Sequence, residues 1–166
     1  MTQAHSKFSN ASANRYIEFN LGRERFAISL LTVKEVIALP EMTDVPFTPD
    51  YYLGVMNLRG TVVSVIDLRK RMQIDTTNTS SENAVIIVSL ESNLVGMVVD
   101  SINRVLTVAE SDIAPPPEME ASRKLDFLLG CFKKEKDLIL FIDLAKLMDK
   151  KDHEAIHKGQ LLNMAV

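Results

Sequence analysis

His153, Glu154 and His157 stand in the spacing H-E-x-x-H. On a helix this spacing sets two imidazoles one turn apart on a metal ion, with a glutamate beside them to activate water, as in a zinc hydrolase. Such a site needs a third protein ligand and a cleft floor. The residues after His157 include no His, Asp, Glu or Cys, and the flanks Asp149–Lys150–Lys151–Asp152 and Lys158–Gly159 carry the charge of a solvated segment. The pattern therefore reads as a chance match on a charged tail over 151–166, and zinc hydrolysis is kept only as the runner-up function. Nucleophilic chemistry has no better footing. The remaining histidine, His5, lies in a polar leader over 1–14, which leaves no Ser-His or Cys-His pair inside the folded body. Cys131 falls in an apolar strand pattern and reads as core. Asp67, Asp100 and Asp143 each end an apolar run, where a carboxylate that caps the following backbone is the ordinary explanation. There is no P-loop, no G-x-G-x-x-G and no cysteine pair with metal spacing. The chain reads as a protein without catalysis, metal or cofactor.

The remaining signals concern binding. Arg59 sits between Leu58 and Gly60 at a tight turn, which would display its guanidinium on a rigid mount. Glu35 interrupts the apolar set Val33, Val36, Ile37, and Gly96 interrupts Leu94, Val95, Met97, Val98. Each has a plain reading, as a solvent-facing residue or a strand bulge. Each also suits the wall of a groove, where a glycine lets another backbone come close.

The elements that must position these residues are strands. Ile17, Phe19 and Leu21 alternate with polar neighbours, the two-residue period of a half-buried strand. A turn at 22–24 leads to a second strand through Phe26, Ile28 and Leu30, and a third follows before Ala38. Thr48–Pro49 has the residues of a helical first turn. Strands over 55–58 and 61–66 join at Arg59–Gly60, and a short helix follows Asp67. After a polar stretch at 76–83, strands follow over 84–90, 94–100, 102–108, 129–132 and 138–142. Asp143 caps a final helix with Leu144, Leu147 and Met148 on one buried face.

The second series repeats the first. Shifting 53–72 by 76 positions superposes Leu53–Gly54, Ile66–Asp67–Leu68, Lys70 and Met72 on Leu129–Gly130, Ile142–Asp143–Leu144, Lys146 and Met148. A shift of 69 carries Ile17, Phe19, Leu21, Phe26, Ile28 and Leu30 onto Ile86, Val88, Leu90, Val95, Met97 and Val99. The difference between the shifts is absorbed near Pro115–Pro116–Pro117. One small β unit built twice is expected, with its seam near 76–83 and a groove between the copies as the candidate working site. Short strands punctuated by glycine, proline and asparagine favour two small barrels over one open sheet.

Bulk properties agree with a globular domain. The chain has 166 residues, 46% hydrophobic and 25% charged, enough to bury a core. A net charge of −3 provides no field to hold a polyanion, which argues against nucleic acid. No run approaches the roughly 20 apolar residues of a membrane span, and 1–14 lacks a secretion signal, so the expected location is the cytosol.

From Leu53–Gly54–Val55–Met56–Asn57–Leu58–Arg59–Gly60 through Ile66–Asp67–Leu68–Arg69 the sequence resembles the CheW family of bacterial chemotaxis adaptors. The likeness runs from about Arg15 to Met148 and includes Val95–Gly96–Met97–Val98–Val99–Asp100 and Phe141–Ile142–Asp143–Leu144. The resemblance implies a mainly β fold of two SH3-like five-stranded barrels packed together. It implies an adaptor that links the cytoplasmic tips of methyl-accepting chemoreceptors to the regulatory domain of the histidine kinase CheA within a membrane-associated array, without entering the membrane. Carried over by position, receptor contacts would fall on Val33, Glu35, Gly54, Arg59 and Gly96. Kinase contacts would fall on Ile17, Leu30 and Val45. An adaptor of a non-flagellar pathway is the close alternative. The length leaves no room for the receiver domain of the CheV type.

Overall fold

The computed structural model describes residues 14–75, 83–116 and 126–164. The leader before residue 14 and most of the expected seam, 76–82, lie outside them.

All ten expected strands form. They are β1 (Arg15–Leu21), β2 (Glu24–Ser29), β3 (Val33–Ala38), β4 (Tyr52–Leu58), β5 (Thr61–Asp67), β6 (Ala84–Leu90), β7 (Asn93–Val99), β8 (Ser101–Thr107), β9 (Leu128–Lys134) and β10 (Asp137–Ile142). Helices are short except the last: α1 (Leu68–Arg71), α2 (Leu144–Leu147) and α3 (Lys150–Met164).

The strands make two five-stranded sheets, ordered β8-β1-β2-β10-β9 and β3-β6-β7-β5-β4. Replacing each strand by its repeat partner, β1 by β6 through β5 by β10, converts one order into the other. The duplication is therefore a symmetry of the fold, but the copies exchange strands. The first sheet takes β1 and β2 from the first copy and β8, β9 and β10 from the second. The connection at 76–83 joins β5 to β6 inside one sheet, so it does not divide the two units as the sequence suggested. Neither sheet closes by pairing its edge strands; both are curled SH3-like sheets with mostly antiparallel neighbours and one parallel pair each, β2 with β10 and β5 with β7.

Alternation along the strands fills three cores. Met56, Val63, Val65, Val85, Ile87 and Val98 fill the concave side of the second sheet. Ala27, Val108, Ile139 and Phe141 do the same for the first. The opposite faces, through Ile17, Phe19, Ile28, Ile66, Ile86, Val88, Met97 and Ile142, meet in the largest core between the sheets. The junction where the sequence suggested an open groove is thus filled at its centre, and only its margins are available to a partner.

Two expectations fail locally. Thr48–Pro49 does not open a helix. Thr48 Oγ1 donates to the Val45 carbonyl at 2.9 Å and the Tyr52 amide to the Pro49 carbonyl, which makes a turn. The stretch from 151 expected as a charged tail is instead helical: the backbone breaks at Met148 and resumes as α3, packed on β4 and β5 with Ala155 and Ile156 buried. Asp149 and Asp152 accept from each other's amides at 3.1 and 2.7 Å, a reciprocal capping box that starts α3.

Candidate functional site

The β4–β5 hairpin turns at Arg59 and Gly60, whose φ of 51° and 89° are those of a tight turn that follows strand twist. Asn57 Oδ1 accepts from the Gly60 amide at 2.7 Å and braces it. The turn carries Arg59 over the open side of the second sheet to β3 at the opposite edge. There Nη1 and Nη2 of Arg59 donate to Oε1 and Oε2 of Glu35 at 2.8 and 2.9 Å. This fork-to-fork pairing fixes both side chains in one plane. It holds Arg59 charged, its pKa raised by the hydrogen bond and charge of Glu35. Glu35 is largely covered while the Arg59 side chain is 76% exposed, so the pair presents an oriented guanidinium to solvent.

Val33 lies two residues before Glu35, half-buried against the inter-sheet core. A register shift between Val33 and Glu35 in the pairing with β6 marks a bulge at this margin. Val36 and Leu39, on and just after the same edge strand, are 41% and 44% exposed. Glu35, Arg59 and Val33 are therefore brought to one sheet edge, where Val36 is exposed on the face of β3 opposite to Glu35.

The two glycines of the expected set are placed differently. Gly54 is buried, and a Cβ there would strike the Thr43 carbonyl oxygen, because β4 pairs with Thr43 through two hydrogen bonds between Thr43 and Val55. Gly96 is also buried. A Cβ there would lie 2.9 Å from Val85 Cγ1 and 3.4 Å from Val65 Cγ2, inside the second sheet's own core. Both glycines are buried, each against close neighbours of its own sheet. Of the residues expected to face the kinase, Ile17 is 4% exposed and committed to the inter-sheet core, whereas Leu30 and Val45 are half-buried at its edge.

Two buried ionic clusters were not legible. Arg69 donates through Nε and Nη2 to Asp67 at 3.1 and 3.0 Å and through Nη1 to Asp100 at 2.7 Å, with all three side chains buried. Asp67 also accepts from the Arg69 and Lys70 amides, as the capping reading anticipated. Asp100 instead accepts from the Gly22 amide at 2.5 Å, tying the β1–β2 turn to the end of β7. In the second cluster Asp152, wholly buried, accepts from Arg71 Nε at 3.0 Å and from the Tyr51 hydroxyl. Burial and the neighbouring Asp152 push the Tyr51 pKa well up. Burial would raise the Asp152 carboxyl too, but hydrogen bonds from Arg71, Tyr51 and the Asp149 amide outweigh it and hold its pKa below the ordinary value. The spacing Asp149-x-x-Asp152 was the available signal for this helix start. No pattern in the sequence announced Arg69 as buried.

The H-E-x-x-H residues lie on the outer part of α3, with Glu154 and His157 exposed. Among the described residues no group of three or more His, Cys, Asp or Glu side chains is placed to hold a metal ion. Cys131, on β9, is half-buried. No helix among the described residues is long and apolar enough to cross a membrane.

Comparison with known proteins gives one consistent result. The family model of the CheW-like domain matches residues 15–152. A probable chemotaxis protein CheW of Rhizobium etli is 30% identical over 149 residues, spanning 90% of this chain and 96% of that protein. Chemotaxis protein CheW of Bacillus subtilis is 33% identical over 144 residues, spanning 87% and 92%. The crystal structure of the scaffolding protein TtCheW from Thermoanaerobacter tengcongensis superposes with a TM-score of 0.75 at 30% identity, covering 84% of this chain and 95% of that one. The chain belongs to the CheW-like domain family.

Proposed function

We propose that this protein is a non-catalytic chemotaxis adaptor that couples the cytoplasmic tips of transmembrane chemoreceptors to the histidine kinase CheA and helps assemble their array. The observation that carries the reading is the Arg59–Glu35 pair: a guanidinium held in fixed orientation by a largely covered carboxylate, on an edge strand that also exposes Val36. An amphipathic helical hairpin is matched by such a surface, since apolar side chains supply area and a pre-oriented ion pair fixes register. The relatives named for chemotaxis and scaffolding support the same reading.

Receptor contact is assigned to Val33, Glu35 and Arg59. Gly54 and Gly96 act indirectly, by letting the sheet that carries the pair close up. Leu30 and Val45 are assigned to the kinase, with Ile17 beneath them as support. An adaptor moves the kinase equilibrium only if it touches the receptor's active and inactive arrangements unequally. Calorimetry with a receptor-tip fragment tests the assignment, together with co-sedimentation on receptor-containing membranes with and without kinase. Binding that is weakened by Arg59→Ala and by Glu35→Lys, with co-sedimentation strongest when the kinase is present, is the expected result. Equal affinity of both variants and the parent removes the pair from the interface.

A further inference from the structure

The internal duplication shows what one cleft of this molecule lacks. Ile28, Leu90, Glu91, Asp143, Leu144 and Ala145 are among the residues that line an open cleft of about 190 Å³ where the end of β2, the β6–β7 turn and the start of α2 meet. Its repeat counterpart, at the end of β7, the β1–β2 turn and the start of α1, is occupied by the Arg69 guanidinium.

The correspondence is close. Asp67 Oδ1 accepts from the Arg69 and Lys70 amides at 3.0 and 3.4 Å; Asp143 Oδ1 accepts from the Ala145 and Lys146 amides at the same two distances. In the first copy the other oxygen, Asp67 Oδ2, receives Arg69 Nη2 at 3.0 Å. In the second copy Ala145 stands where Arg69 does, and Asp143 Oδ2 has no partner among the described residues. Asp100, the second carboxylate around Arg69, is matched by the 63% exposed Leu31. Glu91, the counterpart of Gly22 in the equivalent turn, lines the cleft with a 73% exposed side chain whose Oε2 lies 4.0 Å from His153 Nδ1. The walls are largely apolar, the rim carries Leu129, 46% exposed, and among the described residues no lysine or arginine lines the cleft.

We infer that this cleft docks an arginine side chain of a partner protein, its guanidinium on Asp143 and Glu91 and its stem along Ile28, Leu90 and Leu144, as Arg69 occupies the first copy. Arginine is favoured over lysine because a planar fork can meet the free carboxylate oxygen while its methylenes cover apolar wall. The inference concerns a surface other than the Arg59–Glu35 edge.

The test has two arms. N-acetyl-arginine amide, titrated into the full-length protein and followed by NMR, is expected to shift the amides of Ser29, Ser89, Glu91 and Ala145 saturably, while the uncharged N-acetyl-citrulline amide does not. Ala145→Arg rebuilds the first copy's arrangement in the second. It is expected to raise Tm by about 2–4 °C, to abolish the arginine-amide shifts, and to lower co-sedimentation with kinase and receptor membranes. Equal shifts with the citrulline compound, or titration unchanged by Ala145→Arg, overturn the arginine site. Normal co-sedimentation of that variant overturns its docking role. The titration uses neither receptor nor kinase, so its failure leaves the adaptor reading standing.

Discussion

Arg59 meets Glu35 through two parallel hydrogen bonds that span the open side of the second sheet, from the β4–β5 turn to the edge strand β3. Exposure of the guanidinium makes the pair a poor source of stability and a good recognition element. Arg59→Ala and Glu35→Lys are expected to leave Tm within about 2 °C of the parent while weakening binding of a receptor-tip fragment in calorimetry. The exchanged double variant, Glu35→Arg with Arg59→Glu, restores an ion pair of reversed direction. It is expected to stay defective. Recovery of affinity would mean that the pair acts by holding the sheet edges together and not by touching the receptor.

Gly54 and Gly130 form a second matched set. A Cβ at Gly54 would strike the Thr43 carbonyl oxygen and one at Gly130 the Ala114 carbonyl oxygen, and both neighbours are isolated bridges to the residue after the glycine. Gly54 has φ +140°, outside the region side chains favour. Gly54→Ala and Gly130→Ala are each expected to cost more than about 1 kcal/mol, read from urea midpoints. A loss of receptor coupling in the Gly54 variant should then track its folded fraction. Normal stability with lost affinity would return Gly54 to the interface.

The ten strands and their repeat were legible because half-buried strands leave a two-residue period, and the same pattern recurred in two blocks, one at a shift of 69 and one at 76. The exchange of strands between the copies was not. Periodicity tells which face of a strand is buried, and says nothing of which neighbour it pairs with. Glu35 and Arg59 stood out as charges in apolar or turn contexts, and the structure joins them. Gly96 stood out for the same reason yet lies against Val85 and Val65 in the interior of the second sheet; an interrupted apolar run looks alike from either cause. The helix α3 was hidden because it is held by Asp152, which meets Tyr51 and Arg71, and by Gly159, Ala155 and Ile156, all within a charged run whose composition resembles a solvated tail. A Cβ at Gly159 would strike Ser64 Oγ and the Tyr52 hydroxyl, so the glycine that weakens the helix lets it dock.

Asp152 is the anchor of that helix. Removing it leaves the Arg71 guanidinium, whose side chain keeps only 19% of its surface in water, with the Leu147 carbonyl at 2.7 Å and the exposed Asp149 at 3.8 Å in place of a buried carboxylate. Asp152→Ala is expected to cost about 3 kcal/mol, the low end for breaking a buried pair, and to release α3. Hydrogen exchange over 150–161 checks this directly. The pH dependence follows from the depressed Asp152 carboxyl. The folded pKa lies below the ordinary 3.8, so the stabilisation is fully present above that value and is lost as pH falls through the depressed one. Undocking of α3 is therefore expected only in strong acid, below about pH 4, and Asp152→Asn should remove that acid limb from the pH profile of stability.

Gly96 separates packing from recognition. The position is buried on β7, and an added methyl would press on Val85 Cγ1 at 2.9 Å with Val65 and Ile87 just beyond. Flexible side-chain methyls can yield where a carbonyl cannot, so Gly96→Ala is expected to fold with a loss of about 1–3 kcal/mol from overpacking. Its effect on the receptor surface should arise only through β3 and the β4–β5 turn, which close over that core. Val85→Ala in the same chain removes the methyl that the new Cβ meets. The double variant is expected to regain receptor affinity relative to Gly96→Ala alone, measured by calorimetry on fully folded protein. A direct contact between Gly96 and the receptor backbone would leave the double variant as weak as the single one.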